Sequence, residues 1–174
     1  MRQSAREAVV RAVARRERRE AKARWRTFGI LALLLTGIDQ LTKAGVREVL
    51  GPRESRELFP GFAFTRVRNE GIAFGLFPGR QAAVAILTVV ALCAIAVALA
   101  GLVHRNATVA AGAGLLVGGS VGNLIDRLAY GAVTDFLDPA GWPAFNVADI
   151  GIVIGAGLIV VGLLQDAEAR EAPP

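Results

Sequence analysis

Charged and amide side chains gather at the ends of the apolar stretches of this chain. Asp39 and Lys43 close the first stretch, Asn123, Asp126 and Arg127 close the third, Asp135 follows shortly after, and Asn146 and Asp149 open the fourth. Consecutive spans alternate in direction, so the ends of the first and third and the start of the fourth fall on one side of a membrane. An ionisable group costs roughly 2.5–3.5 kcal/mol at the centre of a spanning helix, so a one-sided gathering of this kind points to function. Two carboxylates held close over a bound water make a hydrolytic centre. They cannot both ionise easily and share one proton; the ionised member takes a proton from the water, and the protonated member hydrogen-bonds the carbonyl under attack.

Several of these residues also admit plainer roles. Asp39 and Lys43 are four apart and share a helix face, so they can pair, or Lys43 can snorkel to the interface; a structural role near the site is the better reading. Ser120, Asn123, Asp126 and Arg127 form a polar stripe climbing to the outer end of the third span. Asp138, beside Pro139, reads as a turn residue. Asn146 is placed to cap the fourth helix by accepting from the amide of Ala148 or Asp149, and Asp149 suits the positive end of the helix dipole. Two rival functions remain at this level. A Ser–Lys peptidase would use Ser120 with Lys43, but Ser120 lies about two turns below the outer end of its helix, too deep for that lysine. A small ion or proton transporter would relay charge along buried carboxylates. It predicts acids spread through the membrane depth, whereas the cytoplasmic halves of these spans carry none.

The elements that must position the site are four spans. Crossing roughly 30 Å of hydrocarbon takes about 20 helical residues. Stretches of that length run from Trp25 to Val46, Gln81 to Val103, Thr108 to Leu128 and Phe145 to Leu164. A mean hydropathy of +0.47 with 53% hydrophobic residues fits that reading and is too apolar for an ordinary soluble domain. The formal charge of +5 belongs to a tail: residues 1–26 hold ten Lys/Arg against three Glu, leaving the remainder at −2. That tail has the composition of a nucleic-acid patch or a membrane-surface helix. It reads better as a cytoplasmic extension under the positive-inside rule, outweighing the six arginines of segment 47–80. Residues 28–38 lack a cleavage site before Asp39, so the first span is expected to be retained.

The expected fold is therefore an all-α membrane protein. It has four transmembrane helices and a small extracytoplasmic β-sheet between helices one and two. A basic cytoplasmic tail covers 1–26, a membrane domain 27–165 with its outer β region at about 53–77, and a cytoplasmic tail 166–174. Within the β region, Phe62, Phe64, Arg66 and Arg68 alternate with Ala63, Thr65 and Val67, the period of a strand. Leu137 to Ala144 reads as a short outer loop. Gly114, Gly118 and Gly122, with Gly151 and Gly155, set small residues four apart and allow close helix packing. Cys93 is the single cysteine and His104 the single histidine, which excludes an internal disulfide and makes a zinc site or a thiolate nucleophile a poor fit.

Five segments, D-Q-L-T-K (Asp39–Lys43), N-E-G-I-A-F (Asn69–Phe74), G-N-L-I-D-R (Gly122–Arg127), V-T-D-F (Val133–Phe136) and F-N-V-A-D (Phe145–Asp149), occur in this order on four spans. In that order they resemble the lipoprotein signal peptidase family, also called signal peptidase II, over about residues 27–165. The resemblance implies a membrane-embedded aspartic endopeptidase that cuts prolipoproteins just before a diacylglyceryl-modified cysteine. It implies no metal or organic cofactor; its partners are that substrate and membrane lipid, with no nucleic acid. By the same resemblance Asp135 and Asp149 are the catalytic pair. Asn69, Gly71, Asn123, Arg127 and Asn146 position substrate or hold the pair, and Asp39, Lys43 and Asp126 organise the site. Spacing alone does not choose Asp135 over Asp126; the modest physical preference is that Asp135 follows its span, nearer water.

Overall fold

The first helix, α1, runs unbroken from Arg2 to Val49, about 72 Å at the usual rise. The computed structural model describes residues 2–70, 81–104 and 106–171. The basic tail is therefore not a separate element but a continuation of the first span. The local reason is plain: no Gly or Pro occurs between Arg2 and Phe28, and Ala, Arg and Glu are strong helix formers. Ion pairs one turn apart add to this, Glu7 with Arg11 at 3.2 Å, Glu20 with Arg16 at 2.9 Å and with Arg24 at 3.2 Å.

Three further helices follow: α2 (Gln81–Val103), α3 (Ala107–Tyr130) and α4 (Val147–Glu171). All four are long and apolar enough to cross a membrane. The central one is α3, packed against the other three. Its buried surface is mostly small residues, and these split between two neighbours. A Cβ on Gly118 would stand 2.5 Å from the Ala32 carbonyl oxygen of α1, and one on Gly112 2.6 Å from the Gly155 carbonyl oxygen of α4. The glycines thus let backbones approach on both flanks. Gly118→Ala is expected to cost about 1–3 kcal/mol through forced separation of α1 and α3, read as a lower unfolding midpoint in detergent. Gly157→Ala, where an added Cβ meets nothing within 4 Å, should not lower it.

Both ends of α3 are specified locally. Asn106 caps its start, Oδ1 accepting from the Thr108 and Val109 amides at 2.8 and 3.1 Å, while Nδ2 donates to the Gly162 carbonyl and the Asp166 carboxylate on α4. Arg24 donates to the His104 carbonyl at 2.6 Å, tying α1 to the same end of the bundle. At the other end Gly131, at φ +72°, takes the left-handed conformation and donates its N–H to the Arg127 carbonyl.

A three-stranded antiparallel sheet lies at that second end, in the order β1 (Ser55–Phe59), β2 (Phe62–Asn69), β3 (Val133–Pro139). The central strand is the one expected from its alternation. The sheet is not confined to the connection between helices one and two, because β3 comes from the connection between α3 and α4. Residues 137–139, expected as loop, are strand, and Leu137 also bridges to Phe145. Within β2 simple alternation fails at one point. Phe64 pairs with Leu137 but Val67 pairs with Asp135, so β2 carries an extra residue at Thr65–Arg66. This bulge flips the parity of everything after it. Without it Val67 and Asn69 would lie on the face opposite Phe64; with it they share the face of Phe64, Leu137 and Asp135.

Candidate active site

Five elements, α1, β2, α3, β3 and α4, converge on one hydrogen-bonded network at the sheet end of the bundle. Its deepest layer is a charge-balanced quartet. On α1, Lys43 Nζ lies 2.8 Å from Asp39 Oδ2 and 3.7 Å from Asp126 Oδ2, with all three side chains fully buried. Arg47, one turn further along α1, donates to Asp126 Oδ1 at 3.3 Å and to Thr134 Oγ1 at 3.1 Å, and lies 4.3 Å above the Tyr130 ring. Two anions and two cations close the layer without net charge, which is the condition for keeping ions inside a membrane protein. Gln40 Nε2 donates to Asp39, to Asp126 and to the Gly122 carbonyl, and the Ala148 amide at the start of α4 donates to Asp39 Oδ1. The Thr134 amide donates to Asp126 Oδ2 at 2.8 Å, which fixes β3 against α3.

Above this layer sit the asparagines. Asn123 Oδ1 accepts from Lys43 Nζ at 2.8 Å and from Asn146 Nδ2 at 3.1 Å, so the lysine orients its amide and its Nδ2 is directed at Asp149 Oδ1, 2.8 Å away. Asn146, fully buried, donates to Asp135 Oδ1 at 2.6 Å. Its Oδ1 accepts the Asp149 amide at 3.0 Å, while the Asn146 amide donates to Asp149 Oδ2 at 3.2 Å. This reciprocal cap is the local reason that α4 begins where it does. Asn69, delivered by the bulge, donates to Asp135 Oδ2 at 2.8 Å.

Asp135 and Asp149 are thus linked through Asn146 and Asn123, and both line one cavity of about 1720 Å³. Ser120, Asn123 and Arg127 of α3, Asn69 and Arg68 of β2, Leu87 and Ala91 of α2 and Ile152 and Val153 of α4 share its wall. Asp39, Lys43, Asp126 and Asn146 do not reach it. Burial, reinforced by the charge of Asp149, pushes the Asp135 carboxyl up to about 7 against the hydrogen bonds from Asn69 and Asn146. Both protonation states are therefore populated near neutral pH. Of the residues singled out in the sequence, nine meet in this network and its cavity: Asp39, Lys43, Asn69, Asn123, Asp126, Arg127, Asp135, Asn146 and Asp149. Gly71 lies outside the described residues. Gln40, Arg47 and Thr134 were not foreseen as part of it; Arg47 stood out only as one basic residue among six in its segment. Lys43, held in the ionic layer away from the cavity, is not available to Ser120 as a base.

The signal peptidase II (Peptidase A8) family model matches residues 31–165. The chain belongs to this family. It is 41% identical over 142 residues to the lipoprotein signal peptidase of Pelotomaculum thermopropionicum, an alignment covering 81% of this chain and 93% of the relative. With that of Gloeobacter violaceus it shares 42% over 159 residues, covering 88% and 89%. A bacterial membrane enzyme solved by the in meso method at 2.3 Å superposes with a TM-score of 0.73 at 30% identity, over 85% of this chain and 93% of that one. A second, solved at 1.9 Å, gives 0.67 at 32%. The protein is accordingly a multi-pass membrane peptidase of the aspartic type, and the transporter reading falls. The signal peptidase II match starts beyond the basic stretch of α1, which lies outside it.

Proposed function

We propose that Asp135 and Asp149 are the catalytic pair, and that the substrate is a prolipoprotein cut before a diacylglyceryl-modified cysteine. The observation that carries this reading is the single cavity that both carboxylates line, Asp135 held by the Asn69 and Asn146 side chains and Asp149 by the Asn123 side chain and the Asn146 amide. In the reaction Asp149 takes a proton from a water between the two groups as that water attacks the scissile carbonyl carbon. Asp135, carrying the shared proton, hydrogen-bonds the carbonyl oxygen as it gains charge. Collapse of the tetrahedral intermediate breaks the C–N bond, and a proton passes from the pair to the leaving amine. Positioned acid–base catalysis contributes roughly 10²–10⁴-fold, and orientation of the peptide with stabilisation of the oxyanion supplies the rest. Asn69 and Arg127 on the cavity wall position the peptide; Asn123 and Asn146 hold the pair; Asp39, Lys43 and Asp126 hold the asparagines and β3. Gly71 belongs with the substrate-positioning set.

The termini lie in the cytoplasm and the site near the outer face of the bacterial cell membrane. Ten basic residues on the N-terminal part of α1, beside the short α2–α3 turn, support that orientation. Substrate class is tested with purified full-length protein and a model prolipoprotein, with and without diacylglycerol on its cysteine. Cleavage of the lipidated form alone is expected; equal cleavage of both would reject a lipid-dependent substrate. The pH dependence follows from Asp135. Its acid form is present below a pKa of about 7 and lost above it, so the rate should fall roughly tenfold per unit once pH exceeds that value. A flat profile between pH 7 and 9 would remove Asp135 as the proton carrier.

A further inference from the structure

Trp142 is 62% exposed and lines the catalytic cavity, yet nothing in the dyad chemistry uses it. It sits in the turn joining β3 to α4, and that turn is fastened at both ends. The Trp142 amide donates to the Pro139 carbonyl at 3.2 Å, the Ala140 amide to that of Gly61 at 2.8 Å, and Leu137 and Phe145 exchange two backbone hydrogen bonds of 2.9 Å. Gly141, at φ +78°, permits the tight reversal just before the indole. A large ring is thus presented on a fixed backbone, seven residues before Asp149. Below Asp149, one turn down the same face of α4, the cavity wall becomes apolar with Ile152 and Val153, the latter 71% exposed. Leu87 and Ala91 of α2 continue that apolar wall. Trp142, Asp149 and this apolar wall thus line one cavity, and an amphipathic indole suits a ligand that is polar at one end and apolar at the other.

We infer that Trp142 is a specificity-determining residue, its ring packing against the glyceryl and first acyl methylenes of the substrate's lipid while the peptide lies over Asp135 and Asp149. This rests on the proposed function and adds the contact by which the lipid is selected. A ring contact of this kind acts on substrate binding rather than on proton transfer. Trp142→Ala should raise KM for the lipidated prolipoprotein by up to roughly tenfold with kcat little changed, and Trp142→Phe should recover most of the loss. Because Trp25 is the single other tryptophan, the Trp25→Phe, Asp135→Asn protein reports on Trp142 alone. Its emission should shift to the blue and lose access to aqueous iodide on adding lipidated substrate, but not on adding the unlipidated peptide. An unchanged KM in Trp142→Ala, or an equal spectral response to both peptides, overturns the assignment. Neither result touches the dyad, which is tested separately by whether Asp135→Asn or Asp149→Asn still cleaves.

Discussion

Asp135→Asn and Asp149→Asn, made singly in the full-length protein, are each expected to reduce cleavage of a lipidated prolipoprotein by at least about 10²–10⁴-fold, to the limit of detection in an ordinary assay. The two changes remove different things. At position 149 the amide has no basic oxygen to take the water's proton. At position 135 it has no transferable proton for the carbonyl oxygen or the leaving amine. Residues that act as a unit lose nearly everything when one is removed, so the double variant should be scarcely worse than either single one. Folding is separable from chemistry here. Asn preserves the shape, and at 149 its oxygen can still accept the Asn123 or Asn146 donor, so unfolding midpoints should stay near that of the parent. Asp126→Asn is the necessary comparison. Its side chain meets Arg47, Gln40, Lys43 and the Thr134 amide and does not itself reach the cavity, so that variant should lose stability first and activity only in proportion. Complete loss in a stable Asp126→Asn, with turnover retained in Asp135→Asn, would exchange the two roles. Robust turnover by either dyad variant would reject the pair.

That comparison also marks where the sequence stops being legible. The spans, the gathering of polar groups at one end and the Asn146 cap of α4 are local patterns, and a single chain displays them. The choice between Asp126 and Asp135 is not local. They lie nine residues apart about the end of the same span, and only the sheet separates them, by closing Asp126 under the Thr134 amide while leaving Asp135 on the cavity wall. The bulge at Thr65–Arg66 is equally hidden. The strand's alternation reads cleanly, and one added residue then reverses it to bring Asn69 to Asp135. β3 is hidden too, and its end at residues 137–139 reads as loop, because its apolar and acidic residues acquire strand meaning only beside β2. For Arg47 no local signal existed, since its partners come from α3 and β3. The helical tail is legible in principle, because its composition favours helix throughout. Gly112 and Gly119, seven apart, also escape a search for small residues four apart. Their value appears only when α3 is seen to have a second close neighbour in α4.

Lys43→Met should be the most damaging change away from the cavity, with an expected stability loss of about 3–5 kcal/mol and an unfolding midpoint in detergent lower by roughly 6–20 °C. The methionine replaces the volume but removes the cation 2.8 Å from Asp39 and 3.7 Å from Asp126, leaving two buried carboxylates with one arginine between them. It also removes the donor that orients the Asn123 amide, so Asn123 Nδ2 is no longer fixed toward Asp149. Activity should therefore fall further than the folded fraction does. Pairing Lys43→Met with Asp39→Asn separates the two effects. The amide keeps an acceptor for the Ala148 N–H while shedding the unpaired charge, so the double variant should regain part of the stability, a coupling of about 0.5–3 kcal/mol in a double-mutant cycle. Turnover should stay low, because the Asn123 amide still lacks its lysine. Full recovery of turnover with stability would reduce Lys43 to a counter-ion; additive losses would show that Lys43 and Asp39 do not form the pair at the base of the site.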